Sequence, residues 1–195
     1  MAQNLIDVQL DEARLKGIEQ MLSGIPRGMP KVVTRALNKT ATTARSQTVK
    51  AISKKVAIKQ KDIRLNVKMW KASYRRWVST IKITGKRLPL IYFGATQTKR
   101  GVGYRIDRGA GRKRAPHAFI TTMIKKKKTG EDVEYRGVFA RIGKSRFPLR
   151  VLRGPSVVGV FQKAPGLAAR LLATANRRLE QEIDRQVGVL LEKGR

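Results

Sequence analysis

Four lysines in a row, Lys125, Lys126, Lys127 and Lys128, stand ahead of a Thr-Gly pair, and a second basic run, Arg112, Lys113 and Arg114, follows a glycine-rich stretch. Like charges on adjacent residues repel one another and are relieved by a nearby anion. The chemistry these residues support is therefore electrostatic capture, above all of phosphate. Bond-making chemistry lacks its parts. The single histidine, His117, follows Pro116 and has no cysteine and no close carboxylate, so no zinc-type spacing is visible. A structural place at the entry of a strand is expected for it. The sparse acids form no cluster of the kind a two-metal nuclease needs. Gly101-Val102-Gly103 lacks the following Lys-Ser/Thr and the strand–loop–helix order of a phosphate loop. No catalytic residue, metal ligand, cofactor or small-molecule substrate is expected.

The whole chain is biased the same way. Among 195 residues, 44 Lys and Arg face 13 Asp and Glu, a formal charge of +31. Self-repulsion at that density destabilises a lone compact monomer, so a polyanion or an acidic protein surface is expected as a partner. Nucleic acid is the first candidate, since phosphate neutralisation dominates such binding. An anionic membrane is second, but no apolar run is long enough to span a bilayer, and no membrane partner is expected. At 41% hydrophobic the chain can bury a core. There is no secretory signal at the start and no cysteine, which fits assembly in a reducing cytoplasm.

These basic runs need elements to carry them. The central one is a predicted helix over residues 30–56. Val33, Leu37, Ala41, Ala44, Thr48, Ala51 and Ile52 fall at steps of three and four on one face. Pro30 suits a first turn. The face is mostly small, so a partner can approach closely: Val33, Leu37, Ala41 and Ala44 are expected to pack against the last helix or a neighbouring subunit. The other faces carry Lys31, Arg35, Lys39, Arg45, Lys50, Lys54 and Lys55, and no carboxylate occurs between Glu19 and Asp62. Those charges are either a solvated face or a contact surface. Ahead of this helix, residues 4–10 alternate as a short strand and 11–22 read as a helix with Asp11 as N-cap. Residues 1–28 are taken as an N-terminal extension and 29–195 as a single domain.

Beyond it, residues 58–67 suit a short helix. Trp70, Tyr74 and Trp77 are interleaved with base; such rings stack on nucleotide bases, but more often they plug a core. Strands are expected over 77–83, 88–93, 118–124 and 133–142, the last two as a hairpin with the lysines at its tip. Residues 94–114 read as a long mobile loop, with 102–106 pairing transiently. An extended segment runs to Leu152, Gly154-Pro155-Ser156 is read as a turn, and 157–161 as a short apolar piece. A second long helix covers 167–191, with a wider apolar stripe and outer faces of mixed sign. The fold class is α+β: two long helices packed on one antiparallel sheet, with basic hairpin and loop extensions.

Several short stretches, in order, carry a resemblance. They are Arg35-Ala36-Leu37-Asn38-Lys39; Leu88-Pro89-Leu90 with Gly94; the basic glycine-rich loop; Ala118-Phe119-Ile120; Arg146-Phe147-Pro148-Leu149; and Gly154-Pro155-Ser156 before the final helix. From about residue 30 to the end the chain resembles the minor tail protein Z family of long-tailed, lambda-like phages and prophages. The resemblance implies a structural virion protein, assembled in the host cytoplasm, that completes the head-proximal end of the tail so that it joins a filled head. It also implies a homo-oligomeric ring around the DNA channel, sixfold like the tail tube, in contact with other tail and neck proteins and, without sequence preference, with virion DNA. No catalytic residues carry over. Two other classes stand beside this one: a non-specific nucleic-acid-binding protein free of any particle, and an enzyme acting on nucleic acid.

Overall fold

The computed structural model describes residues 4–8, 10–126 and 130–193, and the backbone alone at 4–6, 125, 126 and 193. The chain opens with strand β1 (Asn4–Val8) and helix α1 (Glu12–Met21). The Asp11 carboxylate accepts from the Arg14 backbone N–H at 2.8 Å, the N-cap expected of it. Helix α2 (Gly28–Lys55) is unbroken over 28 residues, and Pro30 sits in its first turn. Helix α3 (Gln60–Asn66) follows, then strands β2 (Val67–Trp70) and β3 (Ser79–Ile83).

The middle of the chain departs from the sequence reading. Residues 88–93 are not a strand. A three-residue strand, β4 (Arg87–Pro89), gives way to a 3-10 turn over Leu90–Phe93, ended by Gly94 in the left-handed region at φ 61°. A four-residue apolar run fits either conformation, and here burial of Leu90 and Phe93 on one side selects the turn. Residues 94–114 are not a loop. They hold β5 (Thr96–Thr98), β6 (Gly101–Tyr104) and the start of β7 (Lys113–Ala115), paired as an antiparallel sheet. The hairpin is as expected but longer, β8 (Ala118–Lys126) and β9 (Asp132–Arg141). Then come β10 (Leu149–Val151) and β11 (Arg153–Ser156), so Gly154-Pro155-Ser156 is a strand rather than a turn. The apolar piece after it is helix α4 (Val157–Gln162), capped by the Ser156 hydroxyl, which accepts from the Gly159 N–H at 3.0 Å. Helix α5 (Leu167–Lys193) closes the chain.

The class is α+β, but the strands form four small antiparallel sheets instead of one: β1-β3-β2, β10-β9-β8, β11-β4 and β5-β6-β7. Helices α2 and α5 lie along each other. Residues 38–43 of α2 sit beside 178–185 of α5, and 47–55 beside 164–174, so they run antiparallel. The β1-β3-β2 sheet packs on this pair, with Ser79, Ile81 and Ile83 of its central strand buried. The buried face of α2 is wider than predicted and adds Val32, Ala36, Thr40 and Val49, because both α5 and the sheet cover it. Trp77 is packed against the core, whereas Trp70 and Tyr74 are 49% and 60% exposed, so the core reading holds for one ring of the three. Among the described residues no helix is long and apolar enough to cross a membrane.

Gly101 makes the β5-β6-β7 sheet possible. Its φ of 123° belongs to glycine, and a Cβ there would collide with the Ala115 carbonyl oxygen on β7. Gly101→Ala is expected to cost at least about 1 kcal/mol and to lose amide protection specifically in β6 and β7. Thermal melting and hydrogen exchange check both, and unchanged protection would contradict this role.

Candidate nucleic-acid interface

The β8–β9 ladder runs in register from Ala118↔Ala140 to Lys126↔Asp132. Its base is buried at Ala118, Val138 and Phe139, while Thr122, Ile124 and Val133 toward the far end are exposed. The outer ladder, from Ile124 to Lys126, therefore projects from the body by roughly 7 Å at about 3.4 Å per residue. Lys125 and Lys126 belong to this arm as strand backbone. Lys127 and Lys128, the rest of the predicted tip, lie outside the described residues.

The second basic run divides by role. Arg112 is turned inward: its guanidinium donates to the Gly94 carbonyl at 3.0 Å, the Thr96 hydroxyl at 2.8 Å and the Gly103 carbonyl at 3.1 Å. It staples the β5-β6-β7 sheet to the turn before it. Lys113 and Arg114 are exposed on β7, an edge strand, pointing to opposite faces. This sheet meets the hairpin at its base, where the Gln97 side-chain carbonyl accepts from the Ile120 N–H at 2.8 Å. Lys126, the last described lysine of the run, stands six residues further along the ladder.

The predicted packing residues Val33, Leu37, Ala41 and Ala44 are buried inside this chain, the first three completely. Of the two partners expected for them, the rest of the same chain is the one present. The α2 cations are not uniform either. Arg45 donates to the Val67 and Arg64 carbonyls at 2.8 and 3.1 Å, satisfying the end of α3. Lys31 is half-buried, and Arg35, Lys50, Lys54 and Lys55 are exposed.

A charge cluster joins α2 to α5. Glu182, 4% exposed, receives Arg178 at 3.3 Å, Arg185 at 3.0 Å and Lys39 of α2 at 3.7 Å. Burial pushes its carboxyl upward. The hydrogen bond from Arg185, the charges of Lys39 and Arg185, and a hydrogen bond from Gln186 together outweigh that and hold it below its ordinary value. On the opposite flank, Arg14 of α1 contacts Glu180 at 3.0 Å and Asp184 at 2.7 Å. Among the described residues no three His, Asp or Glu side chains gather as a metal site would require.

Residues 15–193 match the family model of Prophage minor tail protein Z (GPZ). The chain belongs to this family. It is a structural protein of the phage tail, and its place is the virion. No curated protein and no solved structure matches it. The family match starts well before residue 30, so α1, clipped to α5 through Arg14, is largely inside it. The first of the resembling stretches now has a physical account. Ala36 and Leu37 are core, and Lys39 reaches Glu182. Asn38 latches the connector after β2, donating to the Ala72 carbonyl at 3.1 Å and accepting from the Ala72 N–H at 2.8 Å and the Ser79 hydroxyl at 3.2 Å.

Sequence reading missed Glu182, taking it as one of several charges on a mixed face. The Arg178, Glu182, Arg185 spacing of four and three was the visible signal; Lys39, 143 positions away, was not. Because the folded Glu182 carboxyl is held below its unfolded value, its contribution is present above the unfolded pKa and is lost as pH falls through the folded one. Glu182→Gln is expected to cost about 1–3 kcal/mol at neutral pH and to flatten the loss of stability on acidification. Denaturant unfolding from pH 7 to 3 checks this, and parallel curves for the two proteins would contradict it.

Proposed function

We propose that this protein completes the head-proximal end of a long phage tail and enables head joining, as a homo-oligomeric ring around the DNA channel. The observation that carries the reading is the family match together with a charge of +31. A closed ring uses two different patches on each subunit. We take sixfold as the stoichiometry, matching a sixfold tail tube. Residues 29–195 form the tail domain, and 1–28 are an N-terminal extension joined to it by the β1–β3 pairing and by Arg14. Lys125–Lys128, with Lys113 and Arg114, face DNA in the channel or an acidic neighbouring ring; Arg112 supports them from within its sheet. The charge acts on the phosphate backbone and reads no sequence.

Native mass measurement of the purified protein and of isolated tails is expected to give a ring, six copies per tail end. A monomer in both would contradict it and favour a free nucleic-acid-binding protein. Changing Lys125, Lys126, Lys127 and Lys128 together to Ala is expected to leave the fold intact, reduce head joining, and flatten its salt dependence. Each lost phosphate contact should remove about 0.7 to 0.9 from the slope. Joining with unchanged efficiency and salt dependence would make the tip a solvated turn.

A further inference from the structure

The outer seam between α2 and α5 is a groove along which positive charge is collected. At one end, an open cavity of about 680 Å³ is lined by Asn38, Lys39 and Thr42 of α2, Arg178 and Arg185 of α5, and Lys71 of the connector, with Glu182 at its floor. At the other end, a cavity of about 490 Å³ lies between Gln47, Ala51, Lys54 and Lys55 of α2 and Leu167, Arg170 and Thr174 of α5. The residues belong to two single stripes. Positions 39, 43, 47, 51 and 55 recur every turn of α2, and 170, 174, 178, 182 and 185 do so on α5. The two cavities lie in succession along the same pair of helices, with seven cationic side chains and a single carboxylate on their walls.

We infer that this groove binds a phosphodiester backbone, tracking one strand of duplex DNA. Three observations point the same way. The one carboxylate is buried and held below its ordinary pKa, so it gathers Lys39, Arg178 and Arg185 without neutralising them all. Those three cations remain about half exposed, with donors left for a ligand. The nearby exposed acids of α5, Glu180 and Asp184, are turned to the other flank and engaged by Arg14, so they do not compete. Asn38, Thr42, Gln47 and Thr174 add neutral hydrogen-bonding groups along the walls. From Lys39 to Lys55 the groove extends for about 24 Å at 1.5 Å per helical residue. Arginine forks suit phosphate oxygens, and the lysines act as point charges beside them.

The inference rests on the reading that this tail protein meets DNA, but its test uses purified protein and bare duplex, so it can fail while the tail role stands. Fluorescence anisotropy with a labelled random-sequence duplex, titrated from 50 to 200 mM NaCl, measures the salt slope. The variant Lys54→Gln, Lys55→Gln, Lys71→Gln, Arg170→Gln removes four groove charges and leaves the Glu182 cage whole. A control removes four exposed charges elsewhere: Lys16→Gln, Lys59→Gln, Lys144→Gln, Arg150→Gln. Circular dichroism confirms that both fold. The groove variant is expected to flatten the slope by about 3 to 4, at 0.9 for each phosphate contact, and the control by less than 1. Equal flattening by both sets would reduce the effect to overall charge and overturn the proposal. An unchanged slope for the groove variant would overturn it too. If that unchanged slope came with loss of ring or tail assembly, the groove would belong to an acidic protein neighbour.

Discussion

The structure depends on how two long helices, one of them without a single acid, lie side by side. Small residues on α2 allow the close approach: Ala36, Thr40, Ala41 and Ala44 are all buried. Close approach also brings Lys39 toward Arg178 and Arg185, and like charges at such range in a partly dry setting repel strongly. Glu182 resolves the conflict. It is the only carboxylate buried among the described residues, and it stands where the three cations meet. A pair of neutral residues there would pack as well, but would leave the cations with no common centre. Burying one charge is tolerable because each of its oxygens is engaged by a guanidinium.

The remaining architecture is arranged around that pair. The β1-β3-β2 sheet closes the inner side of α2, and the Asn38 latch fixes the connector that precedes β3. Arg108 and its neighbours close the far end of α2: the Arg108 side chain donates to the Val56 carbonyl at 3.1 Å and its backbone N–H to the Lys55 carbonyl at 2.9 Å. Further out, the β5-β6-β7 sheet and the base of the β8–β9 hairpin brace each other through Gln97. Several arginines thus serve as structural donors to backbone carbonyls, among them Arg45, Arg108 and Arg112. Only part of the +31 charge is therefore left free of such internal bonds, including the exposed Lys113 and Arg114 on the β7 edge and the cations of the α2–α5 seam.

Much of this was legible from residue spacing. Helices α1, α2 and α5 show period 3.6 with clear ends, and the Asp11 cap is a local hydrogen bond that one glance at the sequence predicts. The β8–β9 hairpin shows period two about a Thr-Gly turn. The failures share a cause: the deciding contact lies far away in sequence. Residues 96–104 look like loop because glycine and base dominate, yet Gly101 and Gly103 are buried where backbone meets backbone, and the Arg112 guanidinium donates to the Gly103 carbonyl. Gly154 looks like a turn residue, but it is small because the Phe93 ring occupies the space a Cβ would fill. The candidate site was read in the same way. Runs of like charge announce themselves; the inward turn of Arg112 and the meeting of Lys39 with Glu182 need the folded chain.

The central claim is that the charge left over after folding is held for DNA at the end of a tail. An electron cryomicroscopy reconstruction of that end, with DNA in the channel, tests it most directly. A ring of this chain is expected, with the hairpin arm or the α2–α5 seam facing density for the DNA backbone. A ring whose arms and seams both face outward into solvent, with an uncharged surface lining the channel, would contradict it.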